Sequence, residues 1–165
     1  MTNSLPLRPN VCMLIVNSSD LLFLGERAGS PNVWQFPQGG VEEDCSLEET
    51  VLRELHEELG ADQRYFKIIK KLRSEHSYEW QTPPAYAKDR FRGQIQSFWL
   101  VRFTGSDDQI DLNRYDPEFM KFKWCNSKQI LELAEPIRLT GYMQPLREYE
   151  DYLLLKNEDF SSEIE

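Results

Sequence analysis

Residues 46–60 read Ser-Leu-Glu-Glu-Thr-Val-Leu-Arg-Glu-Leu-His-Glu-Glu-Leu-Gly, and this stretch decides the fold. Ser46 followed by Glu49 is a capping box, in which the serine oxygen takes the Glu49 amide and so marks where a helix begins. At about 100° per residue, Val51, Leu52, Leu55 and Leu59 share one face, which must pack on a sheet. Gly60 ends the pattern with a residue that turns left-handed without strain. The stretch therefore predicts a helix over 47–59. Glu54, Glu57 and Glu58 fall on the adjacent arc, because positions three and four apart are neighbours. Arg53 stands four residues from both Glu49 and Glu57 and is expected to pair with them. Three carboxylates on one arc repel, and the helix dipole disfavours Glu57 and Glu58 near its C-terminus. A solvated acidic face is one reading. A hard divalent cation, Mg²⁺ or Mn²⁺, held by carboxylate oxygens is the other. The spacing alone leaves both open.

Outward from this helix, Val11–Asn17 and Leu21–Arg27 read as strands joined by a turn at Ser18-Ser19-Asp20. Trp34-Gln35-Phe36 reads as a short strand before Pro37-Gln38-Gly39-Gly40. Phe66–Leu72, Ile95–Phe103 and Phe119–Cys125 read as further strands, and Asn126–Ala134 as a short helix. A last helix is expected over Pro145–Leu155, with Pro145 in its first turn. Arg73–Gly93 reads as a long connection carrying Tyr78, Trp80 and Tyr86, a length that is often functional. Strands and helices mix without regular alternation, which predicts a compact α/β domain with a mixed sheet.

The chain has 165 residues, enough for one domain that folds without disulfides or a structural metal. Its apolar and charged fractions, 40% and 28%, are those of a globular protein rather than a disordered one. The longest apolar runs are too short for a membrane helix, and no secretory leader is evident at the start. Three cysteines without metal-ligand spacing suit a reducing cytoplasm. Seven acids against one base in residues 148–165 place −6 of the net −9 at the C-terminus. The expected organisation is one domain over 1–157 and an acidic tail over 158–165, solvated and free to be disordered. No broad basic surface suits duplex DNA, and no partner protein is identifiable.

Gly39 to Ala61 resembles the Nudix box, G-x5-E-x7-R-E-U-x-E-E-x-G-U, where U is a bulky aliphatic. Gly39, Arg53, Glu54, Leu55, Glu57, Glu58 and Gly60 stand in register. Two positions depart: Cys45 replaces the first glutamate, with Asp44 beside it as a substitute, and Ala61 replaces the last aliphatic. Arg8-Pro9-Asn10-Val11, Trp34 to Gly40, Gly93-Gln94-x-Gln96, and Pro117-Glu118-Phe119 with Trp124 resemble the RNA pyrophosphohydrolase and diadenosine polyphosphate hydrolase branch. Ser97 stands where that branch has a lysine, and Lys88, Arg90 or Arg92 are the candidates to supply the missing charge.

The resemblance implies a Nudix-type α/β/α sandwich with a mixed β-sheet and a metal-dependent pyrophosphohydrolase. Glu54, Glu57, Glu58 and Glu118 would hold Mg²⁺ or Mn²⁺, with the Gly39 carbonyl as a further ligand, and Arg53 would orient the carboxylates. Arg8 and Arg27 would grip phosphate oxygens, Tyr78 would stack on a base, and Gln38 and Gln96 would line the same cleft. The substrate would be the 5′ end of triphosphorylated RNA, a dinucleoside polyphosphate such as diadenosine tetraphosphate, or both. Two alternatives are a hydrolase of another nucleoside diphosphate derivative and a degenerate module that binds nucleotide or RNA without turnover. His56 and His76 receive no catalytic role, having no partner at a recognisable spacing.

Overall fold

The computed structural model describes residues 4–164, the last six by backbone alone. Seven strands form one mixed sheet: β1 (Leu7–Val16), β2 (Leu22–Arg27), β3 (Trp34–Gln35), β4 (Gln38–Gly40), β5 (Phe66–Glu79), β6 (Gly93–Phe103) and β7 (Phe119–Cys125). Their order is β3-β2-β1-β6-β5, with β4 paired to β1 and β7 to β2. β1 and β6 run parallel from Leu7 beside Gly93 to Val16 beside Arg102. The other pairs are antiparallel.

The unbroken apolar run of β1 follows from burial on both faces. Val11, Met13 and Ile15 point into one core with Val51, Leu55 and Leu59 of α1 (Leu47–Leu59). Cys12, Leu14 and Val16 point into the other, with Ile130 of α2 (Ser127–Leu133) and Tyr142, Leu146 and Tyr149 of α3 (Pro136–Ile164). One helix on one face and two on the other make the expected α/β/α sandwich.

Two expectations are corrected. The connection expected over Arg73–Gly93 is largely strand, since β5 continues to Glu79 and only residues 80–92 form the loop. β5 is an edge strand with two register shifts, so its second half alternates half-buried and exposed residues instead of showing an apolar run. Glu148 of α3 secures the bend, accepting from the Arg73 and Ser74 amides and the Ser74 hydroxyl. The last helix begins at Pro136, not Pro145, and Pro145 lies inside it. Pro136 takes the first position, where a missing N–H costs nothing. The helix survives Pro145 because buried tyrosines pin it on both sides. The Tyr142 hydroxyl accepts from the Phe36 amide at 3.1 Å, and that of Tyr149 donates to the Asp20 carbonyl. The helix also takes in the backbone of residues 158–164, and the side chains of the expected tail beyond Glu158 lie outside the described residues. Among the described residues, no helix is long and apolar enough to cross a membrane.

Candidate active site

The site begins with α1 and its cap. Ser46 Oγ accepts from the Glu49 amide at 3.1 Å, and Gly60 closes the helix at φ 69°. With Leu55 and Leu59 sealed into the core, Glu54, Glu57 and Glu58 border an open cleft of about 530 Å³ that Glu118 joins from the segment before β7. Glu58 is 5% exposed, and its Oε2 has no hydrogen-bond partner among the described residues. Burial, then the charges of Glu54, Glu118 and Glu57, push its carboxyl well above the usual range, against a hydrogen bond from the Gln38 backbone. Glu54 is shifted the same way, by burial and by Glu57 and Glu118, with Arg53 opposing.

Arg53 does not take the partners expected of it. It pairs with Glu54 at 3.4 Å and Glu42 at 3.9 Å, and not with Glu49 or Glu57. Its guanidinium turns towards the loop before α1, donating to the Gly40 carbonyl at 3.4 Å and Cys45 Sγ at 3.8 Å. Position 45 thus faces Arg53 with a thiol, and the nearby negative charge comes from Glu42 rather than Asp44.

The two glycines of β4 make room for two charged groups. A Cβ at Gly39 would lie 2.2 Å from the Glu54 carboxyl carbon, and one at Gly40 would lie 2.2 Å from the Arg8 guanidinium carbon. Arg8 in turn lies 4.6 Å over the Tyr86 ring, which meets Trp80 edge-on, and Trp80 meets Tyr78 likewise. Arg27 ends β2 exposed, with no ion-pair partner among the described residues, and its strand neighbour Phe119 directly follows Glu118.

A second cavity, of about 470 Å³, opens on the α3 face between His76, Tyr78, Glu79, Gln96, Glu135, Ile137, Arg138 and Tyr142. A ladder of amides connects its wall to β4. Gln96 Nε2 donates to Gln38 Oε1 at 2.5 Å and to Asn10 Oδ1 at 3.0 Å. Asn10 Nδ2 donates to Gln94 Oε1 at 3.3 Å, and Gln94 donates to the Tyr78 hydroxyl. Asn10, Gln94 and Gln96 are all buried. Tyr78, Gln96 and Gln38 are therefore one hydrogen-bonded unit, with Asn10 and Gln94 as connections that no sequence spacing marks. Of the cations considered near Ser97, Arg92 is committed to Glu79 and the Leu5 carbonyl. Lys88 and Arg90 are exposed.

Whether the acids suit a metal ion is a question of donor chemistry. Five carboxylates line one cleft, Glu54, Glu57, Glu58, Asp116 and Glu118; Glu58 is buried with an oxygen that no described residue satisfies, and this is a set that hard cations match. Among the described residues no group of three His, Cys, Asp or Glu side chains is gathered closely enough to hold an ion as placed. Carboxylates crowded without a cation are expected to splay, so the donor set fits in kind rather than in spacing.

The sequence model of the family described as NUDIX domain matches residues 6–144. The RNA pyrophosphohydrolase of Orientia tsutsugamushi (strain Boryong) is 34% identical over 157 residues, covering 92% of this chain and 95% of that one. That of Rickettsia rickettsii (strain Sheila Smith) is 33% identical over 152 residues, 90% and 93% of the two chains. Among solved structures, an Ap4A hydrolase binary complex from C. elegans superposes with a TM-score of 0.62 at 18% identity, covering 88% of this chain and 98% of that chain. A MutT protein from Methanosarcina mazei gives 0.65 at 18% identity over 92% and 98%. At those identities the superpositions speak to the fold alone.

Proposed function

We propose, from the premise that this chain belongs to the NUDIX domain family, that it is a pyrophosphohydrolase of RNA 5′ ends, dinucleoside polyphosphates, or both. The observation that carries the reading is the buried, unpartnered Glu58 Oε2 facing Glu54, Glu57 and Glu118. A binding module has no need to bury a carboxylate against three others, whereas a hydrolase that holds cations does.

In this reading Glu54, Glu57, Glu58 and Glu118, with the Gly39 carbonyl, hold the divalent metal ion that the family uses, Mg²⁺ or Mn²⁺. When bound, such an ion neutralises phosphate charge and makes water a better nucleophile. Arg53 keeps Glu54 turned towards Gly39, and Gly39 lacks the side chain that would displace it. Arg8 and Arg27 bind phosphate oxygens, with Arg8 steadied on Tyr86. Tyr78 stacks on the base and Gln96 borders the same cavity, both aligned through Asn10 and Gln94, while Gln38 joins this unit to the acids. Water attacks phosphorus in line, one P–O–P bond breaks, and the proton passes to a carboxylate of the cleft. RNA is left with a 5′-monophosphate, and diadenosine tetraphosphate gives a nucleoside triphosphate and a monophosphate. The same proposal treats 1–157 as the single catalytic domain and 158–165 as an acidic tail outside the chemistry. A reducing cytoplasmic setting fits the three free thiols, Cys12, Cys45 and Cys125.

The test is product analysis by chromatography. Diadenosine tetraphosphate and 5′-triphosphorylated RNA are incubated side by side with Mg²⁺, Mn²⁺ or EDTA. Cleavage of at least one, lost in EDTA, is expected. No cleavage of either with both metals refutes the assignment, and turnover of other nucleotides alone refutes the substrate class.

A further inference from the structure

His56 and Tyr115 line the acidic cleft without belonging to its carboxylate set. His56 Nδ1 lies 2.8 Å from the Ala61 carbonyl oxygen, which only accepts, so in the neutral ring Nδ1 carries the proton. Nε2 is then an acceptor, and the Tyr115 hydroxyl 2.8 Å away donates to it. Tyr115 sits on residues 111–117, which lead from the end of α1 towards β7. The Asp111 amide donates to the Leu59 carbonyl at 2.8 Å, and the Arg114 guanidinium donates to the Gly60 carbonyl at 3.1 Å. With His56–Tyr115, three hydrogen bonds tie this segment to the last turns of α1. Just beyond it, the Glu118 carbonyl accepts from the Ala28 amide at 2.9 Å, and Phe119 is buried against Gly25. Glu118 is thus strung between a buried anchor at Phe119 and an exposed tether three residues upstream.

We infer that His56 and Tyr115 are positioning residues: their hydrogen bond holds segment 111–117 against α1 and so delivers the Glu118 carboxylate to Glu54, Glu57 and Glu58. The inference rests on the metal-dependent hydrolase reading above. Electrostatics gives the tether its purpose. Glu118 raises the proton affinity of both Glu54 and Glu58, and the same repulsion drives an exposed, unrestrained Glu118 outwards. The hydrogen bond at the tip of the segment opposes that drift. Loss of the hydroxyl alone leaves the rest of the packing in place. The two rings lie 5.4 Å apart, and the Arg114 guanidinium lies 5.5 Å over Tyr115.

The experiment compares wild type, Tyr115→Phe, His56→Phe and the double variant. Diadenosine tetraphosphate is the substrate over a Mg²⁺ titration, and Mn²⁺ affinity is measured separately by electron paramagnetic resonance. Tyr115→Phe is expected to lower kcat about tenfold, the upper end of what one net hydrogen bond supplies, and to weaken Mn²⁺ binding several-fold. KM for the nucleotide should change less than about twofold and the melting temperature should hold, a split that a merely structural role does not produce. The double variant should be no worse than the poorer single one, because both remove the same bond. Wild-type kcat and Mn²⁺ affinity in Tyr115→Phe overturn the inference. A wild type inactive on both diadenosine tetraphosphate and 5′-triphosphorylated RNA refutes the hydrolase reading instead, and Mn²⁺ affinity alone then decides: unchanged in Tyr115→Phe, it overturns the tether as well.

Discussion

Glu58→Gln separates the cost of a buried carboxylate from its use. In the metal-free protein, Glu58 holds an unpartnered oxygen beside three other acids. A buried polar group without a partner costs about 1–3 kcal/mol, more for a charged one. Glutamine keeps the shape, removes the charge, and offers an N–H that a neighbouring carboxylate accepts. The variant should therefore gain about 2 kcal/mol in EDTA, or about 4–8 °C in melting temperature for a chain of this size. The pH dependence has a definite sign. A carboxyl raised above its ordinary value of 4.5 favours the folded state while protonated, and that advantage is lost as pH rises through the folded-state value. Wild type in EDTA should lose stability as pH climbs from the ordinary 4.5 through the folded-state value, and the variant should lose less. With metal the order changes, because Mg²⁺ at a hundred times its Kd stabilises by about 2.7 kcal/mol. Wild type should gain that amount and the variant little, while its hydrolysis falls by two orders of magnitude or more. Thermal melts followed by circular dichroism, with EDTA and with Mg²⁺ across pH 5–9, read all of this. A variant that melts below wild type in EDTA, or gains as much from Mg²⁺, refutes the reasoning.

Gly39→Ala should displace the Glu54 carboxylate, since its Cβ would overlap it. Metal affinity should fall at least tenfold by calorimetry, with a stability loss of about 1–3 kcal/mol. Tyr78→Ala should raise KM for the nucleotide about tenfold in steady-state kinetics, the scale of one base–aromatic stack. Its Mg²⁺ requirement should stay unchanged, because the tyrosine meets the acids only through the amide ladder. Deleting residues 158–165 should leave kcat and KM within about twofold of wild type if the acidic end is only solvated, which a side-by-side assay of the shortened chain checks.

The parts of this molecule legible in its sequence are those set by local physics. α1 announces itself through Ser46, one apolar arc and Gly60, and its bounds match the prediction at both ends. β7 is likewise bounded by its own residues. β5 was legible only as far as Leu72, because beyond it the partner strand, not apolar content, defines the strand. Pro145 misled because the tertiary hydrogen bonds of Tyr142 and Tyr149 outweigh a local helix breaker. Within the site, the acidic arc is visible from spacing because one helix carries three of the five carboxylates of the cleft. The ladder was not, for Asn10 meets Gln94 and Gln96 through a parallel register between strands more than eighty residues apart. His56 looked idle for the same reason, its partner Tyr115 being 59 residues further on.

The parallel pairing of β1 with β6 also dictates an order of assembly. As the chain leaves the ribosome, β1, β2, β4 and α1 are all complete by residue 60, and α1 packs on β1 and β4 through nearby contacts. The opposite edge of β1 must wait until residue 102 has emerged, because its partner lies in the second half. Until then a doubly apolar strand offers unpaired amides to any neighbouring chain. Closing a loop of this length before its contacts reward it is the slow kind of folding event. Nascent chains halted between residues 60 and 92 should therefore be the species most dependent on chaperones, with the three α1 carboxylates in place before the cavity beside Tyr78 is built.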